Sequence, residues 1–343
     1  MKHRITIGIG IVLSILLLFY ALRDVSAAEL MEHMGDANVW WLLAATGVAT
    51  FSFVLRAIRW RVLLLPAAGE IPYSSRFATV CIGFMANNLL PARLGEFARA
   101  YSLSRIEPVG VSATLASLVV ERLLDALVLM TFIIPAYLLG VADVTGPGPL
   151  RQVFILLIIL VSLGLVTAGA MVRIPAPILR FVEKWSHRLA PERLADRLTG
   201  LVAAFISGLG ALRHGHVFLR ALFWSVIVWA NNALSFYLGF LAFGMDRPGI
   251  PGAMLTQTVI GFAVAIPSTP GFFGPFEAAA RVTLELYDMT PALIISFAAG
   301  YHIMTFIPVT LLGIWYMRKL GISRAEIGHS EELVEEAVQV GEG

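Results

Sequence analysis

The chain has one cysteine, Cys81, and little charge: 14% of its 343 residues are Asp, Glu, Lys or Arg. A single thiol excludes an intramolecular disulfide framework and offers no thiolate metal cluster. An N-x-S/T sequon, a glycine-rich phosphate loop and an H-E-x-x-H motif are all missing. No cofactor and no metal are therefore expected. No basic stretch is paired with the aromatics that read nucleic acid, so no nucleic-acid partner is expected either. What is present is apolar. Hydrophobic residues make up 58% of the chain and the mean hydropathy is +0.81, outside the range of ordinary globular domains.

Nearly uncharged runs fall at about 5–22, 39–58, 111–139, 151–172, 217–243 and 290–316. Each is long enough to cross a bilayer core of about 30 Å at about 1.5 Å per residue. The start, Lys2-His3-Arg4 before an apolar run with Val25-Ser26-Ala27 after it, has the parts of a signal peptide. The run is longer than a usual signal core, and it reads as a retained helix. With the N-terminus inside, the basic clusters Lys2/Arg4, Arg56/Arg59/Arg61, Arg173 to Arg220 and Arg318/Lys319/Arg324 fall on one side. That bias predicts a multi-pass protein of the inner, cytoplasmic-type membrane with both termini cytoplasmic.

Two further apolar segments, about 73–105 and 253–287, are broken near the middle by Pro and Gly. The charges flanking the first place both its ends inside, and those flanking the second place both its ends outside. Each therefore reads as a re-entrant hairpin, tolerated where buried in protein or facing a wet cavity. The breaks share P-x-x-x-G-x-F, at Pro91/Gly95/Phe97 and Pro270/Gly274/Phe276. The expected fold class is an all-α polytopic membrane protein of about six transmembrane helices and two re-entrant hairpins in an inverted repeat. Residues 1–320 form one membrane domain, with halves at about 1–140 and 150–320, and 321–343 form an acidic cytoplasmic tail. Within 174–216, Arg180, Lys184, Arg188, Arg193 and Arg197 alternate with apolar residues. This stretch reads as an amphipathic inner-leaflet segment or as a plain basic connector.

Charges inside a bilayer cost about 2.5–3.5 kcal/mol or more each, so the few present mark candidate sites. The first cluster holds Asn87, Asn88, Pro91, Arg93, Gly95, Glu96 and Arg99. Pro91 and Gly95 break the helix there, the following helix start aims free N–H groups at the break, and Arg93 adds a fork suited to phosphate. Glu96 and Arg99 have the spacing to pair. The same charges also suit a cytoplasmic anchor. The second cluster, Glu121, Arg122 and Asp125, lies inside a predicted span and must face protein, as an ion-pair lock, a headgroup contact or a proton relay. The third comprises Pro267, Ser268, Thr269, Pro270, Gly271, Gly274, Pro275, Glu277 and Arg281. It breaks the second hairpin, and Glu277 and Arg281 are spaced for a cap and an ion pair.

N-N-L-L-P-A-R-L-G-E-F-A-R-A at 87–100, E-R-L-L-D at 121–125 and P-S-T-P-G-F-F-G-P-F-E at 267–277 resemble the transmembrane family of lysylphosphatidylglycerol synthases and flippases over about 5–320. Well-known members fuse this region to a cytosolic aminoacyl-transferase domain and use it to flip the aminoacylated lipid. The resemblance implies a lipid flippase or translocase that takes a membrane phospholipid or lipid-linked headgroup. A separate lipid-modifying transferase is a further expected partner, and the oligomeric state is left open. With no such domain after residue 320, the chain is expected not to be an enzyme. The alternatives are a membrane-embedded enzyme on lipid-linked substrates and a scaffold for a transferase. Phe272 and Phe273 stand where the family pattern is richer in glycine, which puts the identity of the headgroup in question.

Overall fold

A computed structural model of the chain describes residues 2–139, 174–189, 215–265 and 269–334, with parts of 152–173 and 195–206. Every regular element among the described residues is helical. The helices are α1 (Lys2–Leu22), α2 (Ala27–Gly35), α3 (Val39–Ala68), α4 (Tyr73–Leu89), α5 (Gly95–Ile106), α6 (Val111–Thr131), α7 (Ile134–Leu138), α8 (Pro175–Leu189), α9 (Gly215–Ala242), α10 (Gly249–Ala263), α11 (Pro275–Leu284), α12 (Pro291–Lys319) and α13 (Arg324–Gly328). Their starts reflect local chemistry. Asn38 accepts from the N–H groups of Trp40 and Trp41 to open α3, and Thr290 with Pro291 opens α12.

Among these, α3, α9 and α12 are long and apolar enough to cross a membrane. Two bent pairs, 10–22 with α2 at 79° and 162–171 with α8 at 99°, raise the number to five if each is one span. Length and apolarity alone thus fall short of the six spans expected. The reason is visible in the expected span 111–139, which is α6 followed by a turn and the short α7. Glu121, Arg122 and Asp125 put three charges into the 21 residues of α6. About half of the expected span 151–172 lies outside the described residues, as do Pro267 and Ser268.

Both broken segments are helix–break–helix hairpins. In the first, α4 and α5 run antiparallel around a 3-10 turn at Pro91–Arg93, and Ser75 at one end bonds Glu107 at the other. In the second, α10 and α11 enclose a 3-10 turn at Pro270–Phe272, and Arg247 and Asp288 approach to 3.8 Å at its open end. The open end of the first hairpin lies at the C-terminal end of α3, where Arg76 donates to the carbonyls of Ala57 and Ile71. That of the second comes just after Ala242, whose carbonyl accepts from Asn38 at the N-terminal end of α3. The hairpins therefore enter the bundle from opposite ends. Arg93 and Phe272, at matching places in the shared P-x-x-x-G-x-F pattern, both adopt positive φ, 55° and 62°. That conformation is uncommon for side chains of this size.

The core has one large apolar cluster where Phe236, Phe240, Phe297 and Tyr301 meet between α9, α11 and α12. A second is built on Ala57, Trp60, Leu63 and Leu64 of α3. The start of the acidic tail packs against the bundle. Ile327, Ser330 and Val334 are buried, and Tyr101 donates to Glu326 at 2.8 Å, which docks 324–334 onto α5. The Ser323 backbone N–H, with its hydroxyl and Tyr101, holds the Glu326 carboxyl below the usual range. The amphipathic reading of 174–216 is testable for α8, where Phe181 and Trp185 are exposed beside Arg188; most of 190–214 lies outside the described residues.

Candidate headgroup site between the hairpin tips

The buried charges converge from three helices, and a fourth adds an indole N–H. Glu121 of α6 is fully buried and takes two bonds from Arg99 of α5, at 2.9 and 3.2 Å. Arg59 of α3 reaches it at 3.1 Å and Arg122 at 3.0 Å. Asp125, one turn further along α6, is bonded by Arg59, lies 3.4 Å from Arg122, and accepts from the Trp229 indole N–H of α9 at 2.8 Å. Arg99 also lies 3.7 Å from the ring centroid of Trp60, a cation–π contact. So dense a network forms only because α6 turns its charged face inward, where each ion finds partners that lipid would not supply.

Arg56 differs from the rest. It is 5% exposed, and its Nε and Nη1 have no hydrogen-bond partner; Arg59 also has two such nitrogens but bonds Asp125 and Ser225 through Nη1. Asp125 stands 3.8 Å from it, and the rings of Phe84 and Trp229 lie 5.1 and 5.3 Å from its guanidinium carbon. A cavity of about 260 Å³ opens beside it, lined by Arg56, Arg93, Arg99, Arg122, Glu96, Asp125, Asn87 and residues of both hairpin tips. A second, of about 240 Å³, is walled by Phe53, Phe236, Ile260, Phe276, Tyr301 and Phe306. The two share Arg56, Phe84, Trp229, Gly261, Val264 and Phe272. A guanidinium-rich space thus adjoins an aromatic one.

The residues singled out by sequence divide accordingly. Arg93 joins the two tips: it donates to the Val264 carbonyl at 2.6 Å and faces the Phe272 ring. Glu96 pairs with Arg93 at 3.7 Å, not with Arg99 as spacing predicts, because Arg99 gains a bidentate partner in Glu121. Asn87 accepts from the Gly95 N–H at 2.7 Å and so satisfies the start of α5. Asn88 donates to Thr310 at 2.8 Å on the wall of the aromatic cavity. Thr269 closes its own turn onto Phe273. Glu277 is not paired with Arg281. It accepts from the Gly274 N–H and from His302 Nδ1 at 2.9 Å. Arg281 turns to the carbonyls at the end of α1 and to Glu285. Neither Glu277 nor Arg281 lines the guanidinium-rich cavity.

Sequence reasoning missed Arg56, Arg59 and Trp229 as members of this region, whereas Tyr301 and His302 were readable as possible cavity residues and line the aromatic cavity. The hydropathy run ends at 58, but α3 continues to Ala68, which carries both arginines into the bundle. Their spacing of three, on one helical face, was the available signal.

The pattern that describes the transmembrane region of lysylphosphatidylglycerol synthase matches residues 7–313. The chain belongs to that family. Among its relatives is the glycosyltransferase AglD of Haloferax volcanii, 25% identical over 94% of this chain and 55% of its own length. A UPF0104 membrane protein of Methanocaldococcus jannaschii is 22% identical over 94% of this chain and 97% of its own. Another, of Methanothermobacter thermautotrophicus, is 24% identical over 95% and 98%. The chain thus spans about half the length of AglD and nearly all of the other two. One expectation is overturned here. The family member was expected not to be an enzyme, yet a relative along almost its whole length is named a glycosyltransferase. That expectation rested on the short stretch beyond residue 320, which is no ground for excluding chemistry.

Proposed function

We propose that this integral membrane protein binds the headgroup of a phospholipid or lipid-linked substrate between its hairpin tips and moves that lipid between leaflets. The observation that carries the reading is the pair of adjoining cavities. Guanidinium groups suit phosphate through charge-assisted bonds, and the aromatic wall beside them suits the apolar part of the same molecule. Among the described residues the tips join through the Arg93–Val264 bond and the Arg93–Phe272 ring contact, few contacts to lose on opening. Reconstituted in vesicles, the protein is expected to expose labelled inner-leaflet phospholipid to a membrane-impermeant quencher. Protein-free rates would refute the reading.

The name of the Haloferax relative favours a second reading, in which the same site presents a lipid-linked substrate to transferase chemistry, in this chain or in a partner. Mass spectrometry of the vesicle lipids separates the two. A new lipid species formed with a sugar donor supports the second reading, and redistribution without a product supports the first.

In the membrane, α1, α3, α6, the segment 151–172, α9 and α12 would be six spans of an inner-type membrane, with both termini cytoplasmic and the hairpins re-entrant from opposite faces. The lysine and arginine distribution supports this orientation, as do the opposed open ends of the hairpins. Single-cysteine labelling is expected to find 70–76 and 105–110 on the cytoplasmic face, and 246–252 and 288 on the other. A pair divided between faces would rule out the re-entrant arrangement.

A further inference from the structure

The guanidinium-rich cavity is not electrically balanced. Arg56, Arg93, Arg99 and Arg122 line it against Glu96 and Asp125, an excess of two positive charges. The layer behind does not correct this, because Arg59 and Glu121 offset one another. Glu96 is paired with Arg93, and Asp125 accepts from Arg59 and Trp229 through Oδ1 while its Oδ2 lies 3.4 Å from Arg122 and 3.8 Å from Arg56 without a hydrogen bond. On the aromatic side Glu277 is held by His302 and the Gly274 N–H. The excess includes Arg56, a buried residue that lines both cavities and has two nitrogens without a hydrogen-bond partner. A net excess of buried positive charge is strongly unfavourable, and arginine does not escape by losing its proton.

We infer that the site takes a lipid with a doubly anionic headgroup, a phosphomonoester or diphosphate, and that Arg56 is a principal contact of the phosphate oxygens. A phosphomonoester carries about −1.5 to −2 charge near pH 7 and presents three acceptor oxygens, which matches the excess. A phosphodiester headgroup leaves part of it unbalanced. An aminoacylated headgroup brings ammonium groups against an excess of guanidinium groups. This inference rests on the lipid-handling reading above and narrows it.

The test is binding to the purified full chain in detergent, read by thermal stabilisation against lipid concentration. Phosphatidic acid is expected to bind about tenfold or more tightly than phosphatidylglycerol, since one added close charge pair is worth at least that factor. Phosphatidylcholine and lysylphosphatidylglycerol are expected to bind more weakly still. Arg56→Gln is expected to remove the preference for phosphatidic acid, and Arg56→Lys to keep it at lower affinity. The lysine variant covers the case in which the glutamine variant does not fold. Equal binding of phosphatidic acid and phosphatidylcholine, or a preference for lysylphosphatidylglycerol, would overturn the inference. Inorganic phosphate competing as well as the lipid would overturn it too, by making the site one for a soluble anion. Vesicle assays on the same preparations keep the two readings apart. Lipid movement without charge preference defeats only the charge assignment, whereas neither movement nor binding of any lipid defeats both.

Discussion

Glu121→Ala is expected to destabilise the protein by about 3–5 kcal/mol, the cost of removing one partner from a buried ion pair. The carboxylate is fully buried and receives Arg59, Arg99 and Arg122. Without it, three guanidinium groups crowd a dry site with Asp125 as their nearest counter-ion, so mutual repulsion adds to lost pairing. Glu121→Gln keeps the volume and an acceptor oxygen but not the charge, and an intermediate loss is expected. Unfolding of the purified variants in detergent measures both. An alanine variant that unfolds like the wild type would mean that water reaches the network, and that it does not hold the first hairpin to α3 and α6.

The second large effect lies where α4 and α5 touch. A Cβ built on Gly95 would overlap the Gly83 carbonyl oxygen and the Asn87 side chain, and one on Gly83 would press on the Gly95 carbonyl and Arg99. Small residues at both places let the two backbones approach closely, as at many helix contacts in membranes. Gly95→Val is expected to cost about 1–3 kcal/mol or more through overpacking. It also displaces the Asn87 bond that satisfies the start of α5, and with it the position of Arg99. Gly47→Ala is the matched control. Its Cβ meets nothing within 4 Å, and helix propensity alone predicts a gain of about 0.5–1 kcal/mol. Similar melting of the two variants would show that the hairpin tolerates separation.

Much of this was legible in the sequence, and the failures have physical causes. The breaks were readable because Pro and Gly act locally: Pro91 and Pro270 each open a 3-10 turn, and Gly95 and Gly274 each lie at the start of the returning helix. The inward face of α6 was readable because charges in a span have nowhere else to go. Ion pairing was not. The i,i+3 and i,i+4 rules describe exposed helices, where sequence neighbours are the only partners. In a buried bundle Arg99 finds Glu121, and Glu277 finds His302 on α12, and these tertiary contacts displace the local ones. Arg56 and Arg59 escaped because a hydropathy window treats an arginine as the end of a span. The helix continues because its arginines are answered by α6, which lies elsewhere in the sequence. The docking of 324–334 on α5 was hidden for a related reason: a short acidic stretch gives no sign of the apolar residues Ile327 and Val334 on its buried side.

The central claim is that the space between the hairpin tips handles lipid, and the leaflet assay on wild type and Arg56→Gln in parallel tests it most directly. Arg56 lines both cavities and is the least compensated of the buried cations. Its replacement by a neutral side chain of similar reach removes an attraction without opening a large void. The account predicts that wild-type vesicles redistribute a labelled anionic phospholipid well above the protein-free rate. Arg56→Gln, monodisperse and reconstituted to equal density, loses most of that movement. Equal movement by the two proteins would contradict the account, because lipid would then be passing by a route that does not use the cavity.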